Sequence, residues 1–360
     1  MVVFIKYLKS LKRFFLGSGL FLVWSVFCFI FSHPTLIAAS AKCELKRPIR
    51  FAGLDWDSNI FLTEVAKFIV EASYGCETES VPGTSLPLLA GMMKKDVDVM
   101  MEVWLDNVKE AWNKGIKDGS VVNLGVTFKG AVQGFYVPRY LIEGDKKRGI
   151  KAAAPDLVSV SDLPKYKKLF KDREEPEKGR FYNCILGWSC EVINSNKLKA
   201  YGLDEHYTNF RPGTGAALAA AISSAYKRGK PFVGYYWEPT WILGKYDMVM
   251  LKEPKYNDKD WSTLIDQKAK NPVGVAYPVK DIYLGASKDF YDQAPKLVSF
   301  FKAFEVTKDQ INEALAMMEE EGLSHKAAAI KFLQKYPTHW KSWLGATEAA
   351  KVDEKLGQNS

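Results

Sequence analysis

Apolar and polar positions fall into a regular pattern after Cys43. Ile49–Leu54 is a short apolar run that predicts a strand, and Asp55-Trp56-Asp57-Ser58-Asn59 follows as a turn rich in helix N-cap residues. Val65, Phe68, Ile69 and Ala72 then recur at helical spacing. Thr78–Val81 predicts the next strand, Leu86–Met93 a helix and Val97–Val103 a buried strand. Strands alternating with helices argue for an α/β fold with parallel layers. In open sheets of this kind ligands sit beyond the carboxyl ends of the strands, where Trp56 and Trp104 both fall. A second lobe is expected after Gly134–Val137, near Pro138. The charged stretch from Lys165 to Arg180 reads as surface loop, Gly213-Thr214-Gly215 opens an Ala-rich helix ending near Tyr226, and Phe232–Trp237 is another strand. A return crossing is placed near Val273–Ile282, with Tyr283–Ala286 rejoining the first lobe. From Pro295 onward the pattern is helical, through Leu333, Trp340 and Trp343.

The first 41 residues have a different character. Lys6, Lys9, Lys12 and Arg13 precede an almost uninterrupted apolar run, Phe14 to Phe31, and Ala39-Ser40-Ala41 makes an A-x-A cleavage site. That order is a secretory signal peptide. The competing reading is an uncleaved anchor, since the run nearly reaches the ~18 residues of a membrane span. A lipoprotein is disfavoured because Lys42 stands directly before Cys43. The expected division is therefore 1–41 signal peptide, 42–137 first part of lobe 1, 138–277 lobe 2, and 278–360 the return of lobe 1 with C-terminal helices. Loss of the signal lowers the formal charge from +8 to +4 and leaves no basic block resembling a nucleic-acid footprint. It also removes Cys28, leaving Cys43, Cys76, Cys184 and Cys190. An even set in an oxidising periplasm favours two bridges, and of the three connectivities we adopt adjacent pairing, Cys43–Cys76 and Cys184–Cys190. No C-x-x-C or suitable His spacing supports a zinc site instead, and no metal or cofactor is expected.

Ten tryptophans change the picture further. Four share a setting at a strand end or tight loop beside polar residues: Trp56, Trp104 (in Glu102-Val103-Trp104-Leu105-Asp106), Trp188 (in Cys184-Ile185-Leu186-Gly187-Trp188-Ser189-Cys190) and Trp237 (in Tyr235-Tyr236-Trp237-Glu238-Pro239). A single Trp at a strand end usually packs the core, and Trp112, Trp241 and Trp261 are read as structural. The four together suit a quaternary ammonium, which has no N–H to donate and is recognised by indole faces at roughly 0.5–2 kcal/mol each. A loop pinned by Cys184–Cys190 would hold the Ser189 and Cys190 backbone N–H groups ready for a carboxylate.

At these residues the chain resembles the glycine betaine/proline betaine-binding family of ABC importers, a branch of the type II periplasmic binding proteins. The resemblance covers nearly all of the mature chain. It rests on Asp98–Trp104, Gln133-Gly134-Phe135-Tyr136, Gly187-Trp188-Ser189-Cys190-Glu191, Tyr235-Tyr236-Trp237-Glu238-Pro239 and the C-terminal Phe332-Leu333…Pro337…Trp340…Trp343-Leu344. It implies a two-lobe α/β fold with two crossing strands that closes over its ligand. It also implies an aromatic box of Trp104, Trp188 and Trp237, with Trp56 as a fourth wall, Tyr136 as a weaker candidate, and Ser189 and Cys190 meeting a carboxylate. The family pattern often has a His after the Trp matching Trp104, or after the second-lobe Trp-x-Pro; here Leu105-Asp106-Asn107-Val108 and Thr240 stand there. Glu238, Asp55 and Asp57 bring negative charge nearby, which favours a ligand of net positive charge; helix capping or a solvated rim is their alternative role.

The function expected is an extracytoplasmic, periplasmic binding protein that works as a monomer. It delivers glycine betaine, or alternatively choline, carnitine or dimethylsulfoniopropionate, to an inner-membrane ABC permease. A sensory receptor module with the same pocket is a second class. An enzyme is the third and fits poorly: His206, His325 and His339 are expected to be exposed, Cys184 and Cys190 to be bridged, and Gly213-Thr214-Gly215 lacks the Lys of a phosphate loop.

Overall fold

The computed structural model describes residues 42–358. Residues 1–41, read from the sequence as a signal peptide, lie outside the described residues. Among the described residues nine strands form one sheet: β1 (Ile49–Gly53), β2 (Thr78–Pro82), β3 (Val99–Val103), β4 (Val121–Pro138), β5 (Gly179–Tyr182), β6 (Tyr207–Phe210), β7 (Gly234–Glu238), β8 (Met248–Met250) and β9 (Lys280–Ser287). Their spatial order is β2-β1-β3-β9-β4-β7-β5-β6, with β8 added to β4. The outer pairs β1–β2, β1–β3, β5–β6 and β5–β7 are parallel, as alternating strands and helices require.

The two lobes meet at β4. Its first part, Val121–Ala131, pairs antiparallel with β9, and its second part, Val132–Pro138, pairs with β7 and β8. The sequence pattern placed a crossing only near Gly134–Val137. The strand in fact begins at Val121, hidden by Gly125 and Gly130, whose positive φ values of 134° and 72° accompany three register shifts against β9. The return crossing is also corrected: the backbone is irregular through residue 279, and regular pairing starts at Lys280.

Helix Asp57–Tyr74 follows β1 and buries Phe61, Leu62, Val65, Ala66 and Ile69. It stops at Gly75, which adopts a left-handed φ of 63° and returns its N–H to Val70 O. Phe61 packs edge-on against Phe332 of helix His325–Lys335, with ring centroids 5.5 Å apart, so the C-terminal helices close the first lobe's core. The bridges Cys43–Cys76 and Cys184–Cys190 both form. The first ties the segment before β1 to the loop before β2, and the second closes the loop that enters helix Ser189–Ala200.

The charged stretch Lys165–Arg180 is mostly turns at the surface, but it is anchored more firmly than its composition suggests. Asp172 is buried, accepting from Arg180 Nε, Thr208 Oγ1 and two backbone N–H groups. Burial opposes its ionisation, yet these donors outweigh that and hold its carboxyl far below the ordinary range.

Candidate functional site

Between the lobes lies a small cavity of about 30 Å³. Four indoles line it, and each arrives from a strand end or a tight turn. Trp56 is the N-cap residue before helix Asp57–Tyr74, Trp104 follows β3, Trp188 precedes helix Ser189–Ala200, and Trp237 lies on β7. The Trp188 ring stands nearly perpendicular to Trp56 (centroids 5.5 Å, 80°) and to Trp237 (5.2 Å, 86°). Trp237 in turn stacks on Tyr235 at 5.9 Å. Gly215 makes room for Trp188, since a Cβ there would lie 3.0 Å from the indole ring.

Carboxylates fix three of the four indole N–H groups. One Glu102 oxygen accepts from Trp56 Nε1 at 2.8 Å and from Trp104 Nε1 at 2.9 Å. Asp55 Oδ1 accepts from Trp188 Nε1 at 2.6 Å, a bond that joins the two lobes. Glu102 is 1 % exposed, and its other oxygen has no hydrogen-bond partner. Burial pushes its carboxyl up to about 6; the two indole N–H groups and the nearby Ser58 hydroxyl, itself without a hydrogen bond of good geometry, pull the other way.

The polar part of the lining is uncharged: Ser85, Asn107, Gln133, Ser189 and Tyr235. Gln133 sits directly opposite Trp237 in the β4–β7 register, so both side chains emerge on one face. Its Oε1 accepts from Tyr235 Oη at 2.7 Å and from Asn107 Nδ2 at 3.1 Å, which commits the amide oxygen and turns the NH₂ group toward donation. Ser189 and Cys190 are the first two residues of a twelve-residue helix, so their N–H groups precede the first intrahelical acceptor.

Of the residues singled out from the sequence, Trp56, Trp104, Trp188, Ser189, Cys190 and Trp237 converge on the cavity, while Tyr136 and Glu238 do not line it. Tyr136 is buried within the second-lobe sheet opposite Gly234 and Met250. Glu238 pairs with Lys308 at 2.9 Å, which cancels the charge it was expected to bring. Asp57 likewise faces His325 at 3.1 Å. The three histidines are half-buried rather than exposed, and His339 Nε2 contacts Glu305 O at 2.8 Å. Sequence reasoning missed Ser85, Glu102, Asn107, Gln133 and Tyr235. The usable signal was strand parity, which puts Glu102 with Trp104 and Tyr235 with Trp237. Among the described residues no group of His, Cys, Asp and Glu could hold a metal ion.

Two α/β lobes joined by adjacent crossings, with a small aromatic cavity in the seam, define the chain as a two-lobe substrate-binding protein of the type II periplasmic class. A solved choline-binding protein of an ABC transporter, in complex with choline, has this fold: TM-score 0.68 at 18% identity, covering 86% of this chain and 98% of that one. Residues 47–335 match the family described as the substrate binding domain of the ABC-type glycine betaine transport system, and the chain belongs to that family. It is 26% identical over 240 residues to the glycine betaine-binding periplasmic protein of Dickeya dadantii, covering 65% of this chain and 69% of that protein. It is 23% identical over 315 residues to the trimethylamine N-oxide-binding protein of Pelagibacter ubique, covering 86% and 95%. Members of the family are substrate-binding components of transport systems, not enzymes.

Proposed function

We propose that this protein captures a small quaternary-ammonium solute, glycine betaine foremost, and hands it to an ABC permease. The observation that carries this reading is the convergence of four indoles from two lobes on one small cavity. The methylated cation sits among Trp56, Trp104, Trp188 and Trp237, which together contribute about 2–8 kcal/mol against the ~8 kcal/mol of a micromolar complex. A carboxylate tail accepts from the Ser189 and Cys190 N–H groups and from the Gln133 amide, where a helix N-terminus favours negative charge. Lobe 1 comprises residues 42–137 and 278–360 and lobe 2 residues 138–277, and hinge motion at the crossings opens the seam. Residues 1–41 direct export to the periplasm, where the protein acts as a monomer.

A second reading, choline, is favoured by one feature. Among the described residues no Lys, Arg or His lines the cavity, while Glu102 and Asp55 stand behind its walls, a balance that suits a net cation.

The test is a titration of ligand-free residues 42–360 with glycine betaine, choline, dimethylsulfoniopropionate, trimethylamine N-oxide and glycine, followed by tryptophan fluorescence and calorimetry. Tight binding of a methylated cation but not of glycine, lost in Trp188→Ala, supports the proposal. Choline bound more tightly than glycine betaine selects the second reading. No binding of any methylated solute refutes both.

A further inference from the structure

We infer that Glu102 is a positioning residue whose buried negative charge, set behind two walls of the box, supplies the counter-charge for the bound cation. The inference rests on the quaternary-ammonium reading of the cavity and deepens it.

Glu102 is placed for this by strand parity. It points to the same side of β3 as Trp104, two residues on, and across to Trp56 at the end of the neighbouring strand. A single oxygen takes both indole N–H groups, so the two rings are held in a fixed mutual orientation without a charged atom entering the cavity. The second oxygen is buried and faces only the nearby Ser58 hydroxyl, itself without a hydrogen bond of good geometry, an incompletely satisfied anion that a purely structural clamp does not need. An asparagine or a backbone carbonyl would hold two indoles as well. What the carboxylate adds is charge.

That charge works in two ways. An N–H donated to an anion leaves more electron density on the indole ring, which strengthens the negative face presented to a cation. The carboxylate also attracts the cation directly, through a medium from which water is excluded. No basic side chain competes for it. Its contacts from the first strand–helix turn are Trp56 and Ser58, from its own strand end Trp104, and the small void beside it is bordered by Ser85, Leu89, Met100, Val103 and Val108. All of these are uncharged, so among the described residues no cation satisfies Glu102, and the ligand is left to do so.

A proton linkage follows. In the empty protein burial raises the carboxyl to about 6. A cation in the box favours the ionised form, so binding near that pH expels a proton, and affinity rises with pH through the same window.

The experiment compares wild type with Glu102→Gln, which keeps an amide oxygen for both indoles and removes the charge. Binding of choline and glycine betaine is measured by calorimetry at about pH 7.5 and about pH 5, in two buffers of different ionisation enthalpy. Wild type is expected to bind about tenfold more weakly at the lower pH and to release protons on binding. Glu102→Gln is expected to bind tenfold or more weakly at neutral pH, the size expected for a unit charge at an effective dielectric of about 20, with no pH dependence and unimpaired thermal stability. Equal affinity of the two proteins, or a wild-type affinity that is flat with pH and without proton release, overturns the inference. The proton-release measurement needs only wild type, so it decides the matter even if the variant folds poorly. Failure of wild type to bind any methylated solute would instead overturn the function proposed for the cavity, and this inference with it.

Discussion

Gly187 provides a direct test of whether the seam between the lobes must close for ligand to be held. It lies in the disulfide-closed loop with φ of 93°, and a Cβ built on it would stand 2.9 Å from both Cγ2 and Oγ1 of Thr84, across the seam. Gly187→Ala therefore acts twice. The positive φ costs about 1–3 kcal/mol wherever the loop is folded, with or without ligand. The contact with Thr84 costs about 1–3 kcal/mol more, but only while the lobes are together. The first term lowers the unfolding midpoint; the second is charged against binding, and predicts affinity weaker by about 5- to 150-fold. Adding Thr84→Gly removes the obstruction and leaves the strained φ in place. Thr84 is the N-cap of helix Ser85–Met93 with no side-chain capping bond, so glycine there is tolerated. The double variant should regain most of the lost affinity while keeping the lowered midpoint. Calorimetric titration and urea unfolding of wild type, both single variants and the double variant complete the cycle. Wild-type affinity in Gly187→Ala, or no recovery on adding Thr84→Gly, would refute the claim that this contact is made in the liganded state.

Two further predictions concern buried charge. The fully buried Lys197 pairs at 2.6 Å with Glu253, whose side chain is nearly buried, with Tyr201 donating to the same oxygen at 2.7 Å and the Lys197 ammonium 4.1 Å from the Tyr277 ring centroid. Lys197→Met leaves Glu253 buried without its cation and should cost about 3–5 kcal/mol in urea unfolding, whereas Lys197→Met with Glu253→Gln should recover most of that; equal loss in both would show that packing, not charge, dominates. Asp98 accepts from Arg47 at 2.6 and 2.8 Å and from the Arg50 backbone N–H at 2.8 Å. Burial opposes its ionisation, but these donors prevail and hold its carboxyl below the ordinary value. A depressed folded-state pKa contributes stability above the unfolded value of ~4 and loses it as pH falls toward the folded one. Asp98→Asn should therefore be destabilised at neutral pH and show a shallower acid limb in thermal unfolding; an unchanged limb would show that Asp98 does not drive acid unfolding.

The aromatic walls were legible from sequence because each indole lies beside a turn or strand end that local pattern can locate, and the disulfide loop marks Trp188 without knowledge of tertiary structure. What pattern could not supply was pairing register. Glu238 and Tyr136 look like site residues because they neighbour Trp237 and the crossing motif along the chain. On a strand, however, adjacent residues face opposite ways, and Glu238 leaves the cavity to meet Lys308. Gln133 reaches the cavity only because β4 sets it opposite Trp237, a register fixed across a hundred residues of chain. The long first part of β4 was invisible for a related reason: its glycines and bulges break the alternation that identifies a strand, while β9 supplies the pairing that makes it one. The same logic accounts for the charge distribution. Composition counts acidic residues near the tryptophans but cannot tell an anion paired with Lys308 or in contact with His325 from one buried against indole N–H groups. Asp57 and Glu238 belong to the first kind and Glu102 to the second, while Asp55 is exposed but accepts from the Trp188 indole N–H. Only the second kind polarises the rings. On the function proposed here, a negative field arising behind the walls would let four apolar faces meet a methylated cation with no charged group in the lining to compete for its methyl groups.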